Sequence, residues 1–149
     1  MKITLIGGSG FLGTSLSKLL FKKGISFEIF DLLKSRTYPK KTLTGDIRYI
    51  DQLETISNTD VLINLAAVHR DDIKPLSLYD EVNVNGSINI CQLARNKKIN
   101  KIIFISSVAI YGFAKPNTGE NGEINYFNDY GRTKYLAEQE FIKWYKEDS

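Results

Sequence analysis

The sequence predicts an α/β domain built on a doubly wound parallel sheet, and three observations predict it. Short β-branched runs alternate with longer helical patterns along all 149 residues. Runs such as Val61–Leu65 (VLINL) are nearly continuous in apolar residues, as in strands covered by helices on both faces. Four glycines crowd residues 7–13 (GGSGFLG), between the first strand-like run and the first helical pattern. Alternation of this kind, with right-handed crossovers, winds helices over both faces of a parallel sheet.

The elements follow in order. Ile3–Ile6 reads as a strand, and an amphipathic run from Phe11 to Lys23 reads as a helix that Gly24 ends as a C-cap. Ser26–Phe30 is the second strand and stops at Asp31. A polar, basic loop, Lys34 to Lys41, leads to a weak third strand ending at Thr44-Gly45-Asp46. Tyr49–Ser57 reads as a short helix and Val61–Leu65 as the fourth strand. A long helix is expected from Pro75, a good first-turn residue, to Lys98. Ile102–Ser106 is the fifth strand; a Gly-, Asn- and Pro-rich loop spans Gly112 to Asn128, and a final helix starts near Tyr130. No repeat or linker interrupts the chain, so residues 1–149 read as one domain.

Composition excludes several classes. Hydrophobic residues at 42% and charged residues at 25% are ordinary globular values, which rules out disorder and fibrous repeats. The net charge of +3 is spread without a dense basic run, giving no case for nucleic acid or an anionic membrane as partner. No apolar run approaches the ~20 residues of a membrane span, and the first residues lack a signal-peptide core. One cysteine, Cys91, forbids an internal disulfide and suits a reducing cytoplasm; its apolar helical setting places it in the core. The lone histidine, His69, is expected to pack near a bound cofactor, and without a Cys/His cluster no metal site is expected.

The glycines read in two ways. Gly8, Gly10 and Gly13 spell G-x-G-x-x-G; Gly7, Gly10 and Gly13 spell G-x-x-G-x-x-G. Between a strand and a helix, either pattern lets the backbone approach a pyrophosphate at the helix N-terminus. A Walker loop is excluded because no Gly-Lys-Ser/Thr follows. Asp31 closes the second strand 18 residues beyond Gly13, near the ~20 expected of an acid on the ribose hydroxyls. A carboxylate there repels a 2′-phosphate and favours NAD over NADP, although Lys34 and Arg36 follow closely.

Tyr130 and Lys134 lie four apart on one helix face. An unassisted phenol is a poor base at neutral pH; a nearby ammonium, with an oxidised nicotinamide, stabilises its phenolate. Ser106 and Ser107 end the fifth strand, where parallel sheets bind ligands, and a hydroxyl there can orient a substrate hydroxyl.

These stretches resemble the extended short-chain dehydrogenases/reductases of the NAD-dependent epimerase/dehydratase type, which share a Rossmann fold. GGSGFLG resembles their glycine loop, Gly45-Asp46-Ile47-Arg48 the segment flanking adenine, and Asn64-Leu65-Ala66-Ala67-Val68-His69 the fourth-strand signature under the cofactor. Asn83-Val84-Asn85-Gly86-Ser87 resembles the helix asparagine motif and Ser106-Ser107-Val108-Ala109-Ile110-Tyr111-Gly112 the serine motif. Asp129 to Glu138 (DYGRTKYLAE) resembles the catalytic helix. Within the family, Lys74-Pro75-Leu76 through Gly86 is most similar to the UDP-galactose 4-epimerase type.

The resemblance implies NAD as cofactor, held by Gly7, Gly10, Phe11, Leu12, Gly13, Asp31, Asp46, Ile47, Leu65, Ala66, Ala67, Asn83, Ser106, Tyr130 and Lys134. It implies Ser107, Tyr130 and Lys134 as catalytic residues and a UDP-sugar as substrate, with hydride abstraction at C4 and its return. It covers the cofactor half of such proteins and stops after the catalytic helix, so the C-terminal substrate domain is expected to be absent from these 149 residues. A 4-keto reductase and a non-enzymatic NAD-binding module are the alternatives. Dehydratase chemistry is disfavoured, because Val108 and Ala109 stand where an acidic pair would transfer protons. The final helix carries Tyr135, Leu136, Phe141, Ile142, Trp144 and Tyr145, too many for one buried stripe, and a homodimer through this helix and the one ending at Lys98 is expected.

Overall fold

A computed structural model describes residues 1–148. Five strands form one parallel sheet: β1 (Lys2–Ile6), β2 (Ser26–Asp31), β3 (Thr42–Thr44), β4 (Val61–Asn64) and β5 (Ile102–Phe104), in the spatial order β3-β2-β1-β4-β5. The chain winds outward from β1 to β3, then returns to place β4 on the other side of β1. The order therefore reverses between β1 and β4, and a crevice opens there at the carboxyl ends of the strands.

Side chains alternate across the sheet and build two cores. Ile3, Leu5, Phe27, Ile29, Val61 and Ile63 meet Leu20 of α1 (Phe11–Lys22) on one face. Ile6, Phe30 and Leu62 meet Leu53, Ile90, Leu93, Phe141 and Trp144 on the other, beneath α2 (Ile50–Leu53), α3 (Gly86–Lys97) and α4 (Asp129–Asp148). Gly24 ends α1 as expected, at φ +67°, while Ile25 donates back to the carbonyl of Leu20. Cys91 lies in the second core, where burial pushes its thiol up to about 12 and leaves it inert. No helix among the described residues is long and apolar enough to cross a membrane.

Four expectations need correction. The helix expected over Tyr49–Ser57 is only α2, because Lys97 of α3 takes the carbonyls of Glu54 and Ile56 at 2.9 and 2.6 Å, which a continuing helix would need. The long helix is not regular throughout. It opens at Ser77, just past Pro75, whose carbonyl accepts from Leu78, and its first part, Tyr79–Asn85, is π-helical before it runs into α3. The wider π turn sets Asn83 inside the protein instead of along a regular helical face. β5 stops at Phe104 because the next carbonyl, of Ile105, accepts the Lys134 ammonium. Coverage on both faces holds for the inner strands but not for β5, whose Ile103 is 44% exposed; no β5 residue joins the cluster under α1. In the final helix, Phe141 and Trp144 are core residues, Tyr135 and Leu136 are half-buried, and Ile142 and Tyr145 are exposed.

Phe30 occupies the junction of β1, β2 and β3. It is fully buried, its carbonyl accepts the amide of Gly7, and its ring fills the space beside Gly45 that any Cβ would enter. Phe30→Ala should lower the unfolding free energy by about 3–5 kcal/mol in urea titrations, the scale for an aromatic removed from a packed core.

Candidate functional site

The crevice at the strand reversal is a single cavity of about 1120 Å³. The glycine loop forms its floor. Gly7, at φ +76°, brings the end of β1 so close to β4 that a Cβ would lie 2.5 Å from the amide nitrogen of Ala66. Gly13 packs on the loop itself, with a hypothetical Cβ 2.4 Å from the Cα of Gly8. Gly7, Gly10 and Gly13 line the cavity, whereas Gly8 faces Leu5 and Ile29 in the core. Of the two glycine patterns, the one starting at Gly7 describes the cavity wall.

α1 begins at this wall with Gly10 as N-cap, no side-chain capping bond and no acid in its first turn. The positive helix end, with Phe11 and Leu12 on the lining, is thus left to an anion from outside. Asp31, at the tip of β2, accepts from the amides of Ser9 and Leu33 at 2.9 and 3.0 Å, so it also holds the glycine loop in place. Lys34 and Arg36 share the same wall.

Asp46 and Ile47 line the next stretch. Burial pushes the Asp46 carboxyl up, but hydrogen bonds and charge from Arg48, at 2.7 Å, prevail and hold it below its ordinary value. Arg48 reaches Glu81 at 3.0 Å, and Asn89 of α3 donates to the carbonyls of Ile47 and Arg48. Leu65, Ala66 and Ala67 pass along the cavity just beyond β4. His69 also lines it, exposed to the cavity, its Nδ1 3.4 Å from the carbonyl of Ala67. β4 ends at Asn64, which leaves His69 on a loop.

Ser106, Tyr130 and Lys134 close the far end of the cavity. Lys134 is 3% exposed; its ammonium donates to the Ile105 carbonyl and lies 4.0 Å from the centre of the Phe104 ring. Burial pushes it down to about 8, against an opposing pull from Glu138. Two residues stand outside the lining. Ser107 caps the 3-10 turn Val108–Tyr111 by accepting from the amide of Ala109 at 3.2 Å. Asn83 is buried: it accepts from Val68 at 2.7 Å and donates to the Val68 carbonyl and to Thr133 Oγ1, both at 2.9 Å. It shapes the site from behind and does not face the cavity.

The sequence reading missed Ser9, whose amide holds Asp31, and Arg48, which neutralises Asp46. It also missed Leu78 and Val82 on the lining and Glu138 beside Ser106. Arg48 and Glu138 had a legible signal, an opposite charge two or four residues from a site residue. The bond of Ser9 depends on the fold of the loop and had none.

The lysine makes a stability prediction. Below pH 8 Lys134 is charged in folded and unfolded chains alike, so the folded state carries the full cost of burying the charge. As pH rises from about 8 toward 10.5 the folded state releases its proton first, and stability rises. Lys134→Met should therefore be more stable than wild type at pH 7 by roughly 1–3 kcal/mol in urea titrations, and this advantage should shrink by pH 10.

The chain is similar to known proteins over most of its length. The chain is 40% identical over 144 residues to the N-acetyl-alpha-D-glucosaminyl-diphospho-ditrans,octacis-undecaprenol 4-epimerase of Escherichia coli O157:H7, covering 96% of this chain and 43% of that protein. It is 35% identical to a putative UDP-glucose 4-epimerase of Methanocaldococcus jannaschii, covering 96% of this chain and 50% of the relative. The crystal structure of UDP-glucose 4-epimerase from Brucella ovis in complex with NAD superposes with a TM-score of 0.90 at 26% identity, over 99% of this chain and 48% of the other. The chain thus spans about half the length of these relatives. The profile of one family matches residues 3–148, and the chain belongs to that NAD dependent epimerase/dehydratase family.

Proposed function

We propose that this chain is the cofactor-binding and proton-transferring half of an NAD-dependent 4-epimerase acting on a diphosphate-linked sugar. One observation carries the reading. A single cavity joins a glycine-lined, uncapped helix N-terminus and Asp31 at one end to Tyr130 and Lys134 at the other. The diphosphate of NAD fits the Gly7–Gly10–Gly13 floor, where Gly7 and Gly13 have no room for a side chain, and Asp31 would receive the ribose hydroxyls. Asp46, Ile47, Leu65, Ala66, Ala67, Ser106, Tyr130 and Lys134 would line the remainder.

NAD held by these residues would supply a reversible hydride acceptor for the sugar's C4. Tyr130 would take the C4 hydroxyl proton on its phenolic oxygen and later return it. The Lys134 ammonium stabilises the ionised phenol, and its charge is strongly felt because it is buried. Ser107 accepts one amide bond and so keeps its own O–H to orient the substrate oxygen. Val108 and Ala109, in the turn after Ser107, offer no proton for a dehydration, which supports epimerase or 4-keto reductase over dehydratase.

The relatives favour two carriers for the sugar: a uridine diphosphate, as in the UDP-glucose 4-epimerases, and a polyprenyl diphosphate, as in the E. coli relative. Residues 1–149 are proposed to be one NAD-binding domain, with the carrier recognised by segments beyond the family's cofactor half. A homodimer through α3 and α4 is supported by exposed Ile88, Ile142 and Tyr145 on those helices. The single cysteine, buried and inert, agrees with a cytoplasmic setting.

Calorimetry should show tighter binding of NAD than of NADP, and Asp31→Ala should narrow the difference. Equal affinities in the wild type would reject Asp31 as the selector and point to Lys34 and Arg36. Turnover of UDP- and polyprenyl-diphosphate sugars, read by mass spectrometry, tests the reaction. Tyr130→Phe should reduce it by at least ~100-fold while leaving NAD binding nearly intact. Undiminished turnover in that variant would remove the tyrosine from the mechanism.

A further inference from the structure

Lys134 brings its charge into the protein, and its immediate partners, the Ile105 carbonyl and the Phe104 ring, are neutral. Glu138 stands one turn further along the same face of α4 and is half-buried. Its Oε2 accepts the Ser106 hydroxyl at 3.2 Å. Ser106 lines the main cavity, and with Glu138 it also lines a smaller groove of about 320 Å³ between β5 and the second half of α4. Ser106 therefore stands in the wall between two spaces, and the Glu138 carboxylate, tied to it at the end of β5, lies on the groove side one helical turn from Lys134.

The other charged or titratable groups on elements packed against α4 are engaged elsewhere. Asp80 of the π-helical stretch meets Arg132 at 2.6 Å, and Asp129 meets the same arginine at 3.0 Å. Arg48 of the adjoining loop holds Glu81. Cys91 of α3 faces the carbonyl of Glu140, and Arg95 is bound by Glu147 and Asp148. Tyr79 donates its hydroxyl to the carbonyl of Arg70. Within the cavity, Tyr130 and exposed His69 are the other titratable groups near this end.

We infer that Glu138 is a positioning residue of this site: its charge keeps the buried Lys134 protonated, and its bond to Ser106 fixes that charge at the mouth of β5. Burial alone drives Lys134 toward the neutral amine, and Glu138 opposes it. A neutral amine would no longer stabilise a phenolate on Tyr130. That consequence rests on the proposed function; the coupling between the two charges does not.

The test is a titration of the apoprotein labelled with 13C at the lysine ε-carbons, with the Lys134 resonance assigned by its loss in Lys134→Met. The wild-type midpoint should lie near 8. Glu138→Gln keeps the shape and the bond to Ser106 but removes the charge, and the midpoint should fall by about one pH unit, roughly tenfold in proton affinity. Glu138→Asp withdraws the charge by one methylene, and its midpoint should lie between the two. It serves as the test if the glutamine variant does not fold. Ser106→Ala keeps the charge and should shift the midpoint less than Glu138→Gln. An unchanged midpoint in Glu138→Gln, or in Glu138→Asp where that variant serves as the test, overturns the inference. NADH fluorescence titrated over the same pH range separates the two readings. A shifted lysine midpoint without NADH binding would reject the cofactor site and leave the charge coupling standing.

Discussion

The buried amide of Asn83 is the joint on which the site's geometry depends. A side-chain amide sealed from water must have its donors and acceptor satisfied, and here every available partner belongs to a different part of the fold. Two of its bonds hold the backbone of Val68, where the chain leaves β4 along the cavity, and a third holds Thr133 on α4. The π-helical stretch that carries Asn83 supplies the wider turn needed to bring it inward. Because Thr133 directly precedes Lys134, the amide sets both the strip under the cavity and the helix at its far end. Arg132 reinforces the joint from outside through its pairs with Asp80 and Asp129, which hold those carboxyls to the same helix start.

The two ends of the cavity handle charge in opposite ways. At the helix end beside the glycine loop the protein places no anion of its own: α1 has no acidic first turn and no side-chain cap, and Asp31 binds the loop at Ser9. The helix end and the close-packed backbone then form a positive, side-chain-free floor. At the other end it buries a cation, Lys134, among a carbonyl, an aromatic ring and one carboxylate a helical turn away. The first arrangement welcomes a diphosphate. The second stores electrostatic strength at the end of the cavity that Tyr130 lines, and it does so at the expense of stability.

The resemblance to full-length epimerases covers about half of each relative. This half is nonetheless coherent. It contains both cores of the sheet, the complete strand reversal and both ends of the cavity. What it leaves open is the outer side of β5, where Ile103 and Ile105 are exposed.

Features that depend on local order were legible in the sequence. The glycine loop, Asp31 at the tip of a strand and the tyrosine–lysine spacing each follow from residues close in the chain, because turns, caps and helix faces are set by near neighbours. The strand-helix alternation likewise settled the parallel sheet and its winding. Features that depend on meetings between distant residues were not legible. Asn83 reads as a ligand contact in its motif, yet its partners lie 15 and 50 positions away and turn it into a structural joint. Ser106, not Ser107, reaches the cavity wall, because the carbonyl of Ile105 is given to Lys134 and the chain turns there. Whether Glu138 would lie beside Ser106 was decided by the packing of α4 on β5. A periodic pattern specifies which face of an element is buried, whereas the hydrogen-bond partner a buried polar group finds is chosen only when those faces close.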